Sequence, residues 1–405
     1  MTANVASVQI VGIKYLIGDS INKPKHDVNM KFVVSSTELL GHLQAISRVI
    51  SSKNTLPILD NFLFNLGKNE LEITASDLES TLITKMKLEN ADGDGSIAIP
   101  ARILLDTLKE FSVQPLTFDI NMETLAIVIS SENGKFSVVG QNGIDFPVLP
   151  LIKKEKKFSF NINADVMLAG ITKTLFATAD DELRPVMGGI FVEASADKIT
   201  FVASDAHKLV RYQRTDVHAD ESSSFILPKK PASLLKNILP REEGPVSIEF
   251  DDKNAFFSLS DYKVVSRLVE GNYPNYNSVI PRNNPRKITI DRVEFYNTLK
   301  RVSVFSNQAS NLVKLQLTGN QVMVSAQDID FSISAYERIK CQYEGEEMEI
   351  GFKSVFLLEI LANLSSQDVI IELADPTRAG LILPAVSENE SEDVLMLLMP
   401  MMINA

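Results

Sequence analysis

The chain has 405 residues, of which 45% are hydrophobic and 23% charged, the balance of an ordinary globular protein. With 40 Lys and Arg against 52 Asp and Glu, the net charge is −12, which argues against nucleic-acid binding through overall charge but does not locate the cations. One cysteine, Cys341, excludes an intrachain disulfide framework, and no apolar run approaches the ~18 residues that cross a bilayer. We therefore expect a cytoplasmic protein with no membrane partner.

Residues 1–29 precede the first regular element. They include a short apolar stretch but no basic n-region and no A-x-A cleavage site, so we expect a disordered N-terminal extension. Alternating residues in 31–36 then predict a strand, and leucines and isoleucines at three- and four-residue intervals predict a helix over 37–52. Short alternating strands, a second helix within 99–111 and further strands complete this unit.

Two sets of similar segments recur along the chain at one spacing. The shared aspartates Asp77, Asp205 and Asp328 are separated by 128 and 123 residues, and the helix-bearing segments that start at residues 99, 227 and 350 are separated by the same numbers. Units of this length are whole domains rather than solenoid repeats. The segments are 73–83, 201–211 and 323–333 in the first set, and 99–111, 227–239 and 350–364 in the second.

We therefore predict three repeated domains, at 30–152, 153–283 and 284–405. Two proline-containing linkers, 145–157 and 272–287, mark the joints. Each domain is expected to have two helices and about eight strands, which describes an α+β fold with helices packed on antiparallel sheet.

Sequence motifs of catalysis are absent from the chain. There is no Rossmann, Walker, zinc-protease or nucleophile-elbow motif, and the four histidines make no ligand pair at metal spacing. The acidic run 180–182 is best explained as a solvated loop. His207 beside Asp205 allows a hydrolase as the third-ranked hypothesis, but no motif places a nucleophile near it. We predict a non-enzyme without metal or cofactor.

Basic residues recur at the starts of the predicted second helices and along other helices. Exposed helix faces often carry such residues, but their repeated placement predicts one concave positive lining if the three domains pack in an arc. Such a surface attracts phosphates without reading bases. These residues are Arg102, Lys229, Lys230 and Lys353 at the helix starts, and Arg48, Lys53, Lys173, Lys236, Lys300 and Arg301 elsewhere.

The C-terminal segment 394–405 is apolar and rich in methionine. A buried strand accounts for residues 394–398, whereas Met401, Met402 and Ile403 follow the strand-breaking Pro400. Flexible methionine surfaces suit varied apolar peptide anchors, so the segment predicts a partner groove.

Several motifs, in order along residues 30–403, resemble one family, the β subunit of bacterial DNA polymerase III, or sliding clamp. The resemblance implies a head-to-tail homodimer that closes into a six-domain ring around duplex DNA, binds it without sequence preference and confers processivity on the polymerase. The motifs are TLPIL (55–59), ASDLE (75–79), IPAR (99–102), DFP (145–147), RPVMGGI (184–190), ASDAHKL (203–209), EMEIGF (347–352) and MPM (399–401).

The implied partners are double-stranded DNA, a second copy of the chain, the replicative polymerase alpha subunit, the clamp loader, and other polymerases and repair proteins that present short linear motifs. An alternative from another class is a three-domain acidic scaffold or carbohydrate-binding protein without a DNA role. A native mass measurement separates the two, because a clamp should be a dimer.

The resemblance also implies residue roles. Phe136 and Val138 of one subunit would meet Val304 and Phe305 of the other. Lys53, Arg102, Arg184, Lys229 and Lys230 would face DNA, and the helix-start pattern adds Lys353. Four groove positions depart from the family pattern, namely Ala206 for Gly, Lys208 for Arg, and Ser278 and Met402 for basic residues. The implied groove comprises Met187, Ser204, Ala206, His207, Lys208, Leu209, Pro274, Ser278, Val279, Leu397, Met399, Pro400, Met401 and Met402.

Overall fold

The structure is a computed structural model that describes residues 29–153, 157–387 and 389–403. The predicted N-terminal extension lies outside these residues apart from Asn29, which begins the first strand. None of the described helices is long and apolar enough to cross a membrane.

Domain I contains two helices, α1 (Ser36–Ser47) and α2 (Ala101–Lys109). Helix α1 ends five residues before the predicted end because Val49 turns into the core, where it is 0% exposed, and its N–H bonds to the carbonyl of Ile46. The strands are β1 (Asn29–Ser35), β2 (Asn61–Gly67), β3 (Glu70–Ser76), β4 (Ser80–Lys87), β5 (Ala91–Asp92), β6 (Gly95–Pro100), β7 (Pro115–Asn121), β8 (Ala126–Ser130), β9 (Lys135–Val139) and β10 (Gln141–Asn142).

Domains II and III repeat this plan. Their helices are α3 (Ala164–Thr174) and α4 (Lys229–Ile238), then α5 (Arg292–Ser303) and α6 (Ser354–Ala362). The strands of domain II are β11 (Phe158–Asn163), β12 (Gly189–Ala194), β13 (Ile199–Ser204), β14 (Lys208–Arg214), β15 (Ser223–Pro228), β16 (Pro245–Phe250), β17 (Asn254–Ser258) and β18 (Tyr262–Arg267). Those of domain III are β19 (Arg286–Asp291), β20 (Leu312–Thr318), β21 (Gln321–Asp328), β22 (Ile333–Lys340), β23 (Gln342–Glu344), β24 (Met348–Lys353), β25 (Asp368–Leu373), β26 (Gly380–Pro384) and β27 (Glu392–Leu398).

The three-domain α+β architecture with two helices in each domain is confirmed in the described residues. Each domain is itself double, because the order strand, helix and three strands occurs twice in it, as in β1-α1-β2-β3-β4 and β6-α2-β7-β8-β9. The two halves exchange their first strands: β1 pairs with β7, and β6 pairs with β2. Comparison of segments within the sequence detected the three repeated domains but not this twofold repeat inside each domain.

Antiparallel sheets run across the domain joints. One sheet has the order β10-β6-β2-β3-β4-β18-β17-β16-β11 and spans domains I and II, and another, β15-β12-β13-β14-β27-β26-β25-β19-β23, spans domains II and III. Domain I also holds β5-β1-β7-β8-β9, and domain III holds β22-β21-β20-β24. Each domain therefore contributes strands to two sheets, and β4–β18 and β14–β27 pairing joins the domains through backbone hydrogen bonds.

The core lies between the helices and these sheets. In domain I the rings of Phe32 and Phe118 stack at 4.8 Å between centroids, beside the Phe64 ring. Helix α2 buries Ala101, Leu104 and Leu108 and leaves its other faces to solvent. Fully burying one aromatic or aliphatic side chain contributes about 1.5–3 kcal/mol, so this packing keeps the helices in place on the sheets.

Candidate functional site

An apolar cluster lies where β14 pairs with β27 at the joint of domains II and III. Leu209 faces Leu397 directly across this pair of strands, and both side chains are only 3% exposed. The interdomain linker closes one side, because the Tyr273 ring stacks on Phe191 at 4.9 Å and the Tyr276 hydroxyl donates to Glu193 Oε2 at 3.1 Å. The cluster comprises Val202, Leu209, Tyr276, Ala379, Leu381, Leu395 and Leu397, with Phe191, Tyr273, Ile280 and Leu383 packed against it.

The equivalent position at the joint of domains I and II is polar. There Thr81 and Val265 form the strand pair that corresponds to Leu209 and Leu397. Lys263 replaces Leu395, and its Nζ lies over the Phe256 ring at 4.9 Å from the centroid. Of the two joints within the described chain, only that between domains II and III has two leucines paired at this position.

The turn between β13 and β14 forms one rim of this cluster. Ser204 Oγ donates to the carbonyl of Lys208 at 2.9 Å and accepts from the Ala206 amide at 3.2 Å. Ala206 has φ of 73°, in the left-handed region where glycine is favoured. The departure from the family's glycine therefore keeps the turn at some cost in backbone strain.

The C-terminal segment crosses this rim. The Met399 amide donates to the carbonyl of His207 at 2.8 Å, and the Met401 amide donates to the carbonyl of Gly351 at 2.8 Å. Met399, two residues after Leu397 of the cluster, is 41% exposed, and Pro400 follows it. Met401 and Met402 lie beyond the rim and line a separate depression on domain III. The structure therefore does not bring these two methionines into the apolar cluster.

The remaining predicted groove residues lie at its margin. Val279 is 56% exposed and follows the 3-10 turn Tyr276–Ser278, with Pro274 also exposed in the same linker. Ser278 Oγ donates to the carbonyl of Asn275 at 2.7 Å, so the turn itself uses this hydroxyl. Met187 ends the 3-10 turn Pro185–Met187 and is 8% exposed, outside the apolar cluster.

Lys208 is held at the joint rather than free in the groove. Its Nζ lies 2.8 Å from Asp205 Oδ2, 3.1 Å from Glu359 Oε2 and 4.2 Å from the centroid of the Phe356 ring. Its side chain is only 5% exposed. The two carboxylates neutralise this buried cation, so the position contributes to the joint between domains II and III.

Helix α6 supplies groove residues that sequence reasoning missed. The Phe356 ring stacks with the His207 ring at 5.8 Å, and Lys353 Nζ lies 4.8 Å from the same ring. Lys353, predicted from its helix-start position to face DNA, thus lies with the groove residues. No local signal marks Phe356 or Glu359, because both meet domain II only through the fold.

The hydrolase hypothesis finds no support in the geometry around His207. Asp205 Oδ1 accepts the backbone N–H of His207 at 2.9 Å and that of Lys208 at 2.8 Å. Its other oxygen binds the Lys208 ammonium. Asp205 is therefore a turn-capping residue and does not orient the imidazole. Across the described ranges, no group of three or more His, Cys, Asp or Glu could hold a metal ion.

Most of the cations predicted to face DNA have a carboxylate close by. Arg102 Nε is 3.9 Å from Asp106, Arg184 Nε is 2.8 Å from Asp181, and Lys229 Nζ is 2.6 Å from Asp180. The Arg184 guanidinium holds the pKa of the Asp181 carboxyl below its ordinary value. These partners weaken the local attraction for phosphate.

Lys230 and Lys53 differ in their surroundings. Lys230 Nζ binds Asp77 Oδ2 and donates to the carbonyl of Val49 at 2.8 Å, so it connects domain II to domain I. Lys53 is exposed in the turn after α1, and no ion pair of its side chain is found in the part of the chain that the structure describes. Lys53 is thus the more available cation.

Taken together, the six described helices are basic although the chain is acidic, and only α1 and α6 contain no Lys or Arg. They contain nine Lys or Arg and five Asp or Glu, a net charge of +4, against −12 for the whole sequence. The sheets, loops and remaining residues therefore carry the excess negative charge. This separation agrees with the predicted basic helical lining, and total charge alone hid it.

The predicted subunit contacts lie at the two ends of the domain series. Phe136 on β9 is 41% exposed and meets Phe111 edge-to-face at 5.2 Å, and Val138 is half-buried. At the other end, Val304 and Phe305 follow α5 and are 73% and 37% exposed.

Models of three clamp domains match nearly the whole chain. The N-terminal domain of the DNA polymerase III beta subunit matches residues 30–150, the central domain matches 161–275, and the C-terminal domain matches 277–402. The chain belongs to the DNA polymerase III beta subunit family. The sliding-clamp resemblance of the sequence is thereby confirmed.

Full-length relatives and solved clamps agree with this assignment. The beta sliding clamp of Synechocystis sp. is 30% identical over 380 residues, which cover 88% of this chain and 96% of that protein. The sliding clamp of Pseudomonas aeruginosa bound to griselimycin is 25% identical with a TM-score of 0.87, over 93% of this chain and all of that one. The Bartonella birtlesii clamp, also bound to griselimycin, is 29% identical with a TM-score of 0.85 over the same shares.

As a beta sliding clamp, the chain is a non-catalytic processivity factor of DNA polymerase III in DNA replication. This confirms the predicted function and the prediction of a non-enzyme. It excludes the alternative of a scaffold or carbohydrate-binding protein without a DNA role. The domain boundaries and the individual roles of the site residues remain predictions.

Proposed function

We propose that two copies of this clamp close head to tail into a six-domain ring around duplex DNA. The ring would hold DNA topologically and without sequence preference, and a groove at each joint of domains II and III would bind its partners. These partners are the replicative polymerase alpha subunit, the clamp loader, and other polymerases and repair proteins with short linear motifs. Because its proposed partners are DNA and polymerases, we expect the protein in the cytoplasm.

The observation that carries the ring is the rule by which the domains join. The last strand of the first half of a domain pairs with the last strand of the following domain, as β4 pairs with β18 and β14 with β27. The two remaining members of this series, β22 and β9, each have one strand neighbour among the described residues. Pairing β22 with β9 of a second copy continues the rule, and two such joints close the ring.

The repeats also specify the register of the new joint. Val264 faces Leu82 at one joint and Met396 faces Val210 at the other. In the two edge strands, the corresponding residues are Phe136 on β9 and Ala335 on β22. Their positions follow from the pairing of β8 with β9 and of β21 with β22. We therefore expect Phe136 opposite Ala335 of the second copy, and Val138 opposite Ile333.

Apolar surface is available on both sides of this joint. Ile333 lies on the edge strand β22 and is 40% exposed. Helix α5 packs against β22, so Ile333 is close to the exposed end of this helix. Phe136 on β9 supplies a ring that is 41% exposed. Pairing of β9 with β22 and burial of the Phe136 side chain would remove two exposed strand edges that otherwise invite aggregation.

A matched pair of substitutions tests the ring. Phe136→Asp places a charge in the joint, where burying a Phe contributes about 1.5–3 kcal/mol and an unpaired charge costs more. Val148→Asp is the control, since Val148 is 92% exposed in the linker between domains I and II. Light scattering at low micromolar concentration should find a monomer for the first and a dimer for the second. A dimeric Phe136→Asp protein places the joint elsewhere.

Weak direct affinity for DNA is expected, because many helix cations already have carboxylate partners. Retention should then require a closed circle. We expect the loaded clamp to stay on nicked circular DNA and to leave it after linearisation. The double charge reversal of Lys53 and Arg102 should reduce loading or retention, whereas Lys68→Glu in the turn between β2 and β3 should not. Equal retention on linear DNA would contradict topological binding.

The groove assignment rests on the apolar cluster, with Val279 and Met399 exposed beside it, and on the replacement of its leucines at the equivalent joint of domains I and II. The resemblance implies partner segments with a Gln followed by apolar and aromatic residues, and few anchors should carry most of the affinity. Val279→Asp should abolish binding of such a peptide in a fluorescence titration. Val386→Asp, 73% exposed in the turn before β27, is the control. Undiminished binding to a folded Val279→Asp protein would refute the assignment.

A further inference from the structure

The outer face of domain III carries a depression apart from the proposed groove, and Ala335 is the one residue of its lining that the proposed strand register places in the ring joint. Its volume is about 730 Å³, and much of its lining comes from side chains that point away from the core on β20, β21 and β22, with residues of the adjoining loops at one end. Met401 and Met402 line one margin. On the three strands, the lining includes Leu312, Lys314, Met323, Ser325, Tyr336 and Arg338.

The equivalent faces of domains I and II are covered by aromatic residues of the interdomain linkers. In domain I, Phe146 clusters with Ile58, Leu59 and Ala98, and Leu63 on β2 packs against it. In domain II, Tyr273 stacks on Phe191 of β12 at 4.9 Å, with the rings only 11° from parallel. In both linkers the aromatic residue is followed by proline, Pro147 or Pro274. A linker segment with an aromatic residue followed by proline thus covers two of the three outer faces.

The backbone approaches all three faces in the same way. After the last strand of each domain, the chain returns to an edge strand: Gln141 pairs with Ala98, the Val269 amide donates to Ile226, and the Met401 amide donates to Gly351. Four or five residues later, domains I and II place Phe146 and Tyr273 over the sheet. Among the described residues of domain III, Met401 and Met402 lie at the margin of the corresponding face, and no aromatic side chain of the segment that follows β27 covers it.

We propose that this depression binds an extended segment of a partner protein that carries an aromatic residue followed by proline. The two linkers of the chain show the kind of segment that fits such a face. Lys314 occupies the position of Leu63 and Phe191 on the first outer strand, so a ring placed there would lie over a cation. Arg338 already lies 5.1 Å from the Tyr336 ring in the same depression.

The site is separate from the groove and compatible with the ring. It lies on β20–β22, whereas the groove lies where β14 meets β27. Pairing of β22 with a second copy uses the backbone edge of that strand, and Ser334, Tyr336 and Arg338 remain on the outer face. The aromatic side chain of a bound partner segment could contact Leu312 and Met323 as well as Lys314. The proline that follows it would keep the segment extended.

The chain itself supplies a suitable probe. A fluorescent peptide with the sequence of residues 143–152 contains Phe146 and Pro147, and the same peptide with Phe146→Ala is its control. Ser325→Trp fills the centre of the depression. Gln321→Trp is the matched control on the protein, since Gln321 is an exposed residue on the same strand and face but outside the depression.

Titration of the intact dimer should show saturable binding that falls about tenfold or more with Ser325→Trp and with the Ala peptide, because few anchors dominate such contacts. Gln321→Trp should leave the affinity unchanged, and so should Val279→Asp in the groove. Equal affinity for Ser325→Trp, or no binding by the unmodified protein at millimolar peptide, overturns the proposal. Loss of binding in Val279→Asp instead assigns the peptide to the groove and also overturns it.

Discussion

Replacement of Lys208 tests how the joint of domains II and III is held together. Lys208→Met keeps the length of the side chain and removes its charge. The substitution leaves Asp205 and Glu359 close together without their shared cation, and it removes the contact of that cation with the Phe356 ring. Because Asp205 belongs to domain II and Glu359 to domain III, the effect should concentrate at this joint.

The expected magnitude follows from burial. Removing one partner from a fully buried ion pair costs about 3–5 kcal/mol. The Lys208 side chain is 5% exposed but that of Glu359 is 42% exposed, so solvent reduces the cost, and we expect a loss of about 2 kcal/mol. Lys229→Met is the matched control, because its pair with Asp180 at 2.6 Å has side chains 45% and 84% exposed. Such an exposed pair contributes about 0–1 kcal/mol.

Hydrogen exchange shows where the effect of the substitution occurs as well as how large it is. The Met399 amide bonds to the carbonyl of His207, next to Lys208, so its exchange reports opening of this joint. We expect faster exchange at Met399 in Lys208→Met and unchanged exchange in Lys229→Met, with a lower denaturation midpoint only in the first. If both variants shift equally, burial is not what makes the Lys208 pair matter.

Four further predictions concern stability and reactivity. Burial lowers the pKa of His42 below its ordinary 6.5, so the free energy of unfolding should fall as pH drops through 6.5, and fall less in His42→Gln; denaturation at several pH values measures this. Gly41→Ala should stabilise α1 by about 0.5–1 kcal/mol, since no atom lies within 4 Å of the added carbon. Gly170→Ala should destabilise by about 1–3 kcal/mol, because that carbon would lie 2.7 Å from the Phe201 ring; thermal melts compare the two. Burial raises the pKa of the Cys341 thiol, so iodoacetamide should alkylate the folded chain more slowly than the denatured chain, and equal rates would contradict this.

The sequence by itself determined the repeated architecture of this protein. Apolar periodicity predicts each helix from its own residues, and the spacing of Asp77, Asp205 and Asp328 shows that one unit recurs three times. Family motifs then identify the function, because they are short and contiguous in the chain. Local pattern and internal repetition need no knowledge of distant contacts, which is why these predictions could be made.

Only the tertiary structure decided which distant residues meet. Lys230 was predicted to face DNA, but its ammonium binds Asp77, which lies 153 residues away. Lys353 and Phe356 reach the groove because β14 pairs with β27, and this pairing depends on the fold of two domains. The charge of each residue is written in the sequence, whereas its effect depends on burial and on the partners that folding places beside it.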